Sequence, residues 1–403
     1  MALMPVAEAL EKVLSGVVPL GPEQAGLRFA AGRTLAHSLS AALTHPPFDA
    51  SAMDGYALRA ADLVKLPAVL NIIGEAAAGW PFAGTIGRGE AARIFTGAPV
   101  PDGADTVVIQ EDTVADGKTV TIAQASPQGG NIRPRGQDFH EGQTVLVRGR
   151  CLGARDVLLA AAAGHAILAV VKKPVVAILA TGDELVEPSD RPGAGQIVSS
   201  NSYGLAALVE AAGGAPKLLG IALDTAEDLA AKLRDAETAD ILVTIGGASV
   251  GDHDLVRPSL EAAGAALHFY KIALRPGKPV FFGTRPGLHG TQRIIGLPGN
   301  PLSAMISARV FLVPLIAALL GRTDTLPTLT AELAVALAAN GPRDHYMRAM
   351  LDYKVSPPHV TPLTNQDSSL VTSLAAANCL IINPAGAPAL PAGSAVTVIP
   401  LDF

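Results

Sequence analysis

The chain has 403 residues, of which 49% are hydrophobic and only 16% are charged, and its formal net charge is −6. A chain of this length and composition can bury several large cores, which argues against intrinsic disorder. The negative net charge argues against a broad basic face for nucleic acid, and aromatic residues, at 4%, leave few rings for stacking on single strands.

The N-terminal stretch "MALMPVAEAL" lacks a basic region, and Pro5 and Glu8 interrupt its apolar residues, so it is not typical of a targeting segment. The most apolar stretches, residues 157–171 and 301–320, both contain polar residues or proline and are interpreted as buried elements rather than membrane spans. The two cysteines, Cys151 and Cys379, show no metal-ligand spacing. We therefore expect a cytoplasmic protein without a membrane partner.

The first 172 residues alternate between two kinds of pattern. Val6, Leu10, Val13 and Leu14 have helical spacing, which predicts that residues 1–45 are largely helical. Short apolar runs between turn signals predict a β-rich module up to about Asp138, and residues 139–172 return to a strand followed by a helix. We predict a discontinuous helical linker domain, residues 1–48 and 139–172, with a β-rich domain inserted at residues 49–138.

After residue 172, strands and helices alternate. Residues 175–180 and 241–245 are predicted as buried strands. A capping-box pattern at Thr225 and Asp228 opens one helix, and Asn300 followed by Pro301 opens another. This alternation predicts a doubly wound, mostly parallel α/β domain at residues 173–325. The spacing of Pro and Gly in residues 326–403 predicts a small C-terminal β-barrel domain.

Ligands of open α/β sheets bind outside the carboxyl ends of the strands. Four loops follow such ends: "TGDELVEP" at 181–188, "GGASVGDHD" at 246–254, "RPGKPV" at 275–280 and "GLPGNPLS" at 296–303. Their backbone N–H groups, helix starts and hydroxyls predict a site for phosphate or another oxyanion. Arg275 and Lys278 would offset its charge, and Asp254 would hold a divalent cation.

The stretch from Gly247 to Gly251 also matches the G-x-S-x-G pattern of a hydrolase nucleophile elbow, which would make Ser249 a nucleophile. An elbow needs a helix directly after the serine, whereas "GDHD" at 251–254 delays the next helix. The later histidines also lack an obvious acid partner. We interpret Ser249 as a hydrogen-bonding hydroxyl of a phosphate-binding loop, with the serine hydrolase as an alternative.

Seven motifs in one order resemble the MoeA family, the molybdopterin molybdenumtransferases related to the E domain of gephyrin. They are "PPFDASAMDGYA", "IFTGAPVPDGADTVV", "NIRPRGQD", "ATGDEL", "GGASVGDHD", "KIALRPGKPV" and "GLPGNPLSA". The resemblance implies the multidomain α/β fold above, with its molybdopterin-binding domain. It also implies insertion of molybdate into the dithiolene of adenylyl-molybdopterin with release of AMP, aided by Mg²⁺.

The resemblance and the four loops together define an expected site. Its expected catalytic residues are Asp54, Asp138, Lys271, Arg275 and Lys278. Its expected substrate-binding residues are Thr96, Glu184, Gly246, Gly247, Ser249, Pro298, Ser303, Arg348 and Ser368, with Ser373 as the alternative to Ser368. The expected metal ligands are Asp224 and Asp254.

Two positions depart from the family pattern. Position 275 is Arg where the family often has Lys, and a guanidinium keeps the charge but cannot donate a proton at neutral pH. Asp367 stands where a Gly is common, next to the expected barrel serine.

The resemblance further implies a homodimer whose inserted domain completes the partner's site, and a MogA-type adenylyltransferase as a partner. A non-catalytic, pterin-binding scaffold of the same fold is the main alternative, although the intact acidic and basic loops favour catalysis.

Overall fold

The computed structural model describes residues 3–247, 255–322 and 327–401. The chain divides into two compact units, each built from separate segments. Unit 1 comprises Met1–Glu23, Gly32–Ala36 and Ala169–Phe403, and unit 2 comprises Gln24–Ala31 and His37–Leu168. The four domain boundaries expected from the sequence stay a prediction.

The helices, in chain order, are α1 (Val6–Leu14), α2 (Ala154–Ala162), α3 (Asn201–Ala211), α4 (Ala226–Asp235), α5 (Val256–Ala262), α6 (Pro301–Ser307), α7 (Val313–Leu319) and α8 (Val371–Ala376). Residues Ala308–Leu312, between α6 and α7, form a π-helical turn.

The strands up to residue 186, in chain order, are β1 (Pro22–Gly26), β2 (Leu39–Ser40), β3 (Ala50–Ser51), β4 (Gly55–Leu58), β5 (Ala68–Ala76), β6 (Glu90–Ile94), β7 (Thr106–Ile109), β8 (Thr113–Asp116), β9 (Thr119–Ile122), β10 (Ile132–Arg133), β11 (Thr144–Leu146), β12 (Ile167–Val171), β13 (Val175–Thr181) and β14 (Leu185–Val186). The later strands are β15 (Ile197–Val198), β16 (Ala215–Ala222), β17 (Ile241–Ile245), β18 (Ala266–Phe269), β19 (Leu274–Arg275), β20 (Phe281–Gly287), β21 (Gly290–Leu297), β22 (Leu329–Leu333), β23 (Asp344–Asp352), β24 (His359–Pro362), β25 (Cys379–Asn383) and β26 (Ala395–Pro400).

The central sheet of unit 1 has the order β16-β13-β17-β21-β20-β18. The strands from β16 to β21 are parallel, whereas β20 and β18 add an antiparallel edge. Every residue of β17 is buried, because helices cover both faces of a doubly wound sheet and leave no polar side. The predicted doubly wound, mostly parallel domain is confirmed.

Two hydrophobic cores lie on the two faces of this sheet. One core includes residues of α1, α3, α6 and α7, and the other includes residues of α4 and α5. Within the described residues, the helical stretch Pro301–Leu319 is long and apolar enough to cross a membrane, but 89% of it is buried inside the protein. Such burial is typical of a core helix, as the sequence predicted.

The C-terminal segment of unit 1 closes into a small barrel. Its strands pair in the order β23-β24-β22-β26-β25, and β25 returns to pair with β23. Closure leaves no unpaired edge within this ring. The predicted C-terminal barrel is therefore confirmed, and β19 joins it by pairing in parallel with β23.

Unit 2 contains the predicted β-rich module. Its sheet has the order β7-β4-β6-β5-β9-β8, around a core that includes Leu58, Leu70, Val108 and Ile122. Residues 1–45 were predicted to be largely helical, but the α-helix described there is α1 alone. It ends before Gly16, a residue with a positive φ of 64°. The helix cannot continue easily through Gly16, Pro19 and Gly21, because Pro and Gly are poor helix formers.

Candidate active site

A cavity of about 620 Å³ lies at the carboxyl ends of β13, β17 and β21, and we call it the strand-end cavity. Its volume is within the range of small-molecule sites. It is lined by Ala180, Thr181, Glu184, Leu185, Ile197, Val198, Ser199, Ser200, Asn201, Ile245, Gly246, Gly247, Pro279, Pro298, Gly299, Asn300, Pro301 and Ser369. Four of the expected substrate-binding residues, Glu184, Gly246, Gly247 and Pro298, are among them.

Glycine is required where β17 ends. Gly246 has a φ of +90°, and a β-carbon there would stand 2.6 Å from the carbonyl oxygen of Thr181 on the neighbouring strand. Gly247 also has a positive φ, of 58°. The backbone of this loop therefore approaches β13 closely and lines the cavity without side chains. Ser249 and Asp254 lie outside the described residues, so their expected roles stay predictions.

The loop after β13 carries Glu184 into the strand-end cavity. Its backbone carbonyl accepts a hydrogen bond of 2.8 Å from the N–H of Ile197, at the start of the β14–β15 pairing. A β-carbon on Gly182 would stand 2.5 Å from the Glu184 carboxylate, so Gly182, with a φ of +143°, leaves room for it. One hydrogen bond thus ties the loop to Ile197, and the missing side chain of Gly182 gives the Glu184 carboxylate its space.

Asp183 and Asp224 lie beside the ends of β13 and β16. Asp183 accepts a hydrogen bond of 3.1 Å from the backbone N–H of Asp224, the expected metal ligand. Thr225, which follows it, caps α4 by accepting from the N–H of Asp228 at 3.3 Å, as the sequence predicted. Carboxylate oxygens suit Mg²⁺. Among the described residues, however, no group of three or more His, Cys, Asp or Glu side chains is arranged to hold a metal.

Residues 275–279, which we call the cation loop, leave the barrel at β19. Arg275 and Lys278 are exposed, whereas Gly277 between them is buried. The N–H of Ile272 donates to the carbonyl of Lys278 at 3.2 Å, which closes the loop on itself. The loop thus presents two cations to solvent, and Pro279 lines the strand-end cavity.

The segment that leads into the cation loop pairs with the beginning of the chain. The N–H of Met4 donates to the carbonyl of Lys271 at 3.4 Å, and the N–H of Ala273 donates to the carbonyl of Met4 at 2.7 Å. Met4 therefore bridges both sides of Ile272. The side chain of Lys271 is half-buried, and its expected catalytic role stays a prediction.

A second cavity, of about 570 Å³, opens on the barrel, and we call it the barrel cavity. It is lined by Arg275, Leu337, Ala338, Ala339, Asn340, His345, Met347, Thr364, Asn365, Gln366, Asp367 and Asn383. Burial, followed by the charges of Arg275, Arg343 and Arg348, lowers the pKa of His345 to about 4. A neutral imidazole among three cations indicates a positive potential that favours an anion.

The structure places the expected barrel residues in different positions. Arg348 is only 1% exposed, lines neither cavity, and donates to the carbonyls of Asn365 at 3.2 Å and Asp367 at 3.0 Å and to the hydroxyl of Ser373. It therefore shapes residues 365–373 from within. Hydrogen bonding from Ser369, first from its hydroxyl and then from its backbone N–H, lowers the pKa of Asp367.

The two candidate barrel serines, Ser368 and Ser373, contact different parts of the structure. Ser368 accepts a hydrogen bond of 3.3 Å from the side-chain amide of Asn300, and its carbonyl accepts from the N–H of Leu302 at 3.2 Å. Ser368 therefore meets the start of α6, where Asn300 and Pro301 stand as predicted. Ser373 instead contacts Arg348, and Ser303 is buried within α6 outside the lining of either cavity.

Three motifs of unit 2 converge on one another. β3 pairs with β10, and the carboxylate of Asp49 accepts from the N–H of Arg135 at 2.7 Å. Asp54 accepts from both the backbone N–H and the hydroxyl of Thr96, each at 2.8 Å. These two bonds, the backbone bond first, lower the pKa of Asp54. Asp138 is exposed, and its N–H donates to the carbonyl of His45 at 3.1 Å.

One part of the strand-end cavity, residues 197–201, was not predicted from the sequence. Ser199, Ser200 and Asn201 line it at the start of α3, and the amide of Asn201 donates to the carbonyl of Gly299 at 2.7 Å. The available signal was the run Ser-Ser-Asn at the start of a helix, because such residues are typical of helix starts and helix starts attract anions.

Family models cover most of the chain. A model described as the MoeA N-terminal region (domain I and II) matches residues 4–164. One described as a probable molybdopterin binding domain matches residues 177–318, and one described as the MoeA C-terminal region (domain IV) matches residues 330–401.

Individual proteins are similar over nearly the full length. A molybdopterin molybdenumtransferase of Nostoc sp. is 34% identical, covering 92% of this chain and 87% of its own. One of Bacillus subtilis is also 34% identical, covering 98% and 94%. A solved molybdopterin biosynthesis MoeA protein from Pyrococcus horikoshii OT3 has a TM-score of 0.84 at 28% identity, covering 99% of this chain and 100% of its own. The chain therefore belongs to the MoeA family of molybdopterin molybdenumtransferases.

Proposed function

We propose that the protein is a molybdopterin molybdenumtransferase, which inserts molybdate into the dithiolene of adenylyl-molybdopterin and releases AMP. One observation carries the proposal beyond family membership. The cation loop contributes Pro279 to the strand-end cavity and Arg275 to the barrel cavity. An organic substrate and an inorganic oxyanion would thus meet at the same loop.

The strand-end cavity suits the pterin and its phosphates. The backbone of Gly247 and the start of α3 offer N–H groups, which bind phosphate oxygens without adding side-chain bulk. Gly246 instead contributes its lack of a side chain, because its N–H donates to the carbonyl of Leu297 at 3.1 Å. Glu184 supplies an acceptor for the N–H groups of a pterin or nucleotide ring. Of the expected residues, Gly246, Gly247, Ser249 and Pro298 complete this proposed role, and Ser303 lies in the first turn of α6.

The oxyanion chemistry is mainly electrostatic. Molybdate and the phosphoanhydride are both anions, so Arg275 and Lys278 first have to offset their repulsion, and fixed charge at the reacting centre then stabilises the transition state. No side chain need form a covalent bond, because the sulfurs of the substrate and a molybdate oxygen supply that chemistry. Arg275 acts by charge and bidentate hydrogen bonding rather than as an acid.

Mg²⁺ is the proposed cation, held by Asp224 and Asp254. The described donors fit it in kind, since Asp183 and Asp224 bring two carboxylates to one edge of the sheet. When bound, the metal supplies positive charge at the phosphates. Asp183, which the sequence analysis did not include, joins the proposed ligand set.

The remaining proposals concern assembly. We infer a cytoplasmic homodimer in which Asp54, Thr96 and Asp138 of one subunit complete the site of the partner. The convergence of the three motifs of unit 2 on one another supports this role. A MogA-type adenylyltransferase would supply the adenylylated substrate.

The test is AMP release from adenylyl-molybdopterin with Mg²⁺, with and without molybdate, for the wild type and Asp254→Ala. We expect molybdate-dependent release that the substitution abolishes. Tight pterin binding without any release would instead support the scaffold alternative. Covalent labelling of Ser249 by a fluorophosphonate, lost in Ser249→Ala, would support the hydrolase.

A further inference from the structure

Ser307, the last residue of α6, has a hydroxyl that the fold leaves without an evident use. The residue is fully buried, and its Oγ has no hydrogen-bond partner within residues 3–247, 255–322 and 327–401. A buried hydroxyl without a partner is costly, so native proteins seldom keep one where a methyl group would serve. Ser307 is also absent from the expected site.

The cation loop rests directly on this hydroxyl. Gly277 has a φ of +117°, and a β-carbon there would collide with Ser307 Oγ and stand 2.9 Å from Cδ2 of Leu274. Gly277 is buried, while Arg275 and Lys278 on either side of it are exposed. Ser307 therefore contacts the cation loop at Gly277, which lies between the two cations.

The helix around Ser307 directs its hydroxyl away from the helix. A serine inside a helix commonly donates to the carbonyl one turn earlier. Ser307 makes no such bond, and the π-helical turn Ala308–Leu312 begins at the next residue. Single π-helical turns inside α-helices occur frequently at functional sites.

We propose that Ser307 is a positioning residue for the oxyanion. Its hydroxyl bonds the main chain of Gly277 when the cation loop binds the oxyanion, and this bond sets where Arg275 and Lys278 stand. The inference rests on the proposed function, since the oxyanion is molybdate. Ser307 itself does not touch the substrate.

The test compares Ser307→Ala with the wild type in two assays. In the AMP-release assay, we expect KM for molybdate to rise roughly threefold to tenfold, the effect of one lost hydrogen bond, with KM for adenylyl-molybdopterin unchanged. In a thermal-shift assay with orthomolybdate alone, the stabilisation by molybdate should shrink, while Tm without anion should not fall. Ser307→Thr, which keeps the hydroxyl, should restore the molybdate KM.

Thr244→Val is the matched control. Thr244 is also fully buried with a hydroxyl that lacks a partner in the same described residues, but it lies within β17. Its substitution should leave both KM values unchanged. Should Ser307→Ala fold poorly, Ser307→Cys, which keeps the shape of the side chain but replaces the hydroxyl by a weakly hydrogen-bonding thiol, carries the same expectation.

The outcomes separate this inference from the proposed function. A wild type that releases AMP with molybdate, together with a Ser307→Ala enzyme of unchanged molybdate KM, overturns the positioning role alone. A wild type without molybdate-dependent release overturns the proposed function. In that case the molybdate thermal shift still decides whether Ser307 acts on anion binding.

Discussion

Arg275 and His345 are direct partners in the parallel pairing of β19 with β23, and the guanidinium helps to keep the imidazole neutral. Burial is the larger cause, and together the effects lower the pKa of His345 from 6.5 to about 4. The sheet register therefore places Arg275, a proposed ligand of the oxyanion, next to His345, and both residues line the barrel cavity.

The lowered pKa of His345 predicts that the stability of the fold depends on pH. The unfolded chain binds a proton at His345 below about pH 6.5, whereas the folded protein binds it only below about pH 4. Stability should therefore fall as the pH drops through this window, by on the order of 2–3 kcal/mol from this group. Thermal unfolding of the wild type and His345→Gln between pH 4 and 7 tests it, and equal pH slopes would contradict it.

Replacement of Arg275 should affect both the reaction with molybdate and the pKa of His345. Arg275→Ala removes a cation from the oxyanion site, so kcat/KM for molybdate should fall on the order of a hundredfold. It also removes a neighbouring charge, so the pKa of His345 should rise towards its usual value.

Arg275→Lys is the matched variant, because it keeps the charge and should retain most activity. NMR titration of the His345 ring in each variant measures the second effect. A His345 pKa that is unmoved in Arg275→Ala would show that Arg275 does not contribute to it.

Gly246→Ala should damage the strand-end cavity. The added β-carbon would stand 2.6 Å from the carbonyl of Thr181 at a φ of +90°, so either β13 or the glycine loop must shift. We expect a stability loss of about 1–3 kcal/mol or more and a large loss of pterin affinity.

Gly264→Ala is the control for the backbone conformation. Gly264 has a φ of +82°, but nothing lies within 4 Å of its added β-carbon. Denaturant unfolding should show a smaller loss there, with pterin affinity unchanged. Equal effects of the two substitutions would mean that φ alone, rather than the approach to Thr181, constrains Gly246.

The two hydrogen bonds from Thr96 to Asp54 can be separated. Thr96→Val removes the hydroxyl bond but keeps the backbone bond, which is the larger cause of the lowered pKa. The pKa of Asp54 should therefore rise only part of the way to its usual value. Carboxyl NMR titration measures this, and a full return would show that the hydroxyl dominates.

Asp183 should matter for the metal as much as Asp224 does. If both carboxylates help to hold Mg²⁺, then Asp183→Asn and Asp224→Asn should each raise the Mg²⁺ concentration required for AMP release by roughly tenfold or more. Asp116→Asn, at the exposed end of β8 in unit 2, is the control. An unchanged Mg²⁺ dependence in Asp183→Asn would remove it from the ligand set.

Local patterns in the sequence predicted the parts of the fold that one physical signal determines. The strand at 241–245 was predicted with its observed bounds, because an entirely buried parallel strand is a continuous apolar run. The starts of α4 and α6 were predicted because Thr225 and Asn300–Pro301 are strong helix-start signals.

Long-range geometry could not be predicted in this way. The contact of Ser368 with α6, the inward direction of Arg348 and the pairing of Arg275 with His345 all depend on register between distant segments. Sequence spacing carries no such information. All four strand-end loops contribute residues to the strand-end cavity, whereas the different contacts of Ser368 and Ser373 could not be predicted from the sequence.

The bridge from Met4 to the segment before the cation loop has a practical consequence. Because the backbone of Met4 forms hydrogen bonds with both Lys271 and Ala273, the start of the chain acts as a clasp, holding in place the segment that leads to Arg275. Trimming the first residues, or fusing a bulky affinity tag directly ahead of them, should loosen this clasp and weaken anion binding nearly 270 residues further along the chain. Expression vectors for this enzyme should therefore carry the tag elsewhere, or on a cleavable spacer.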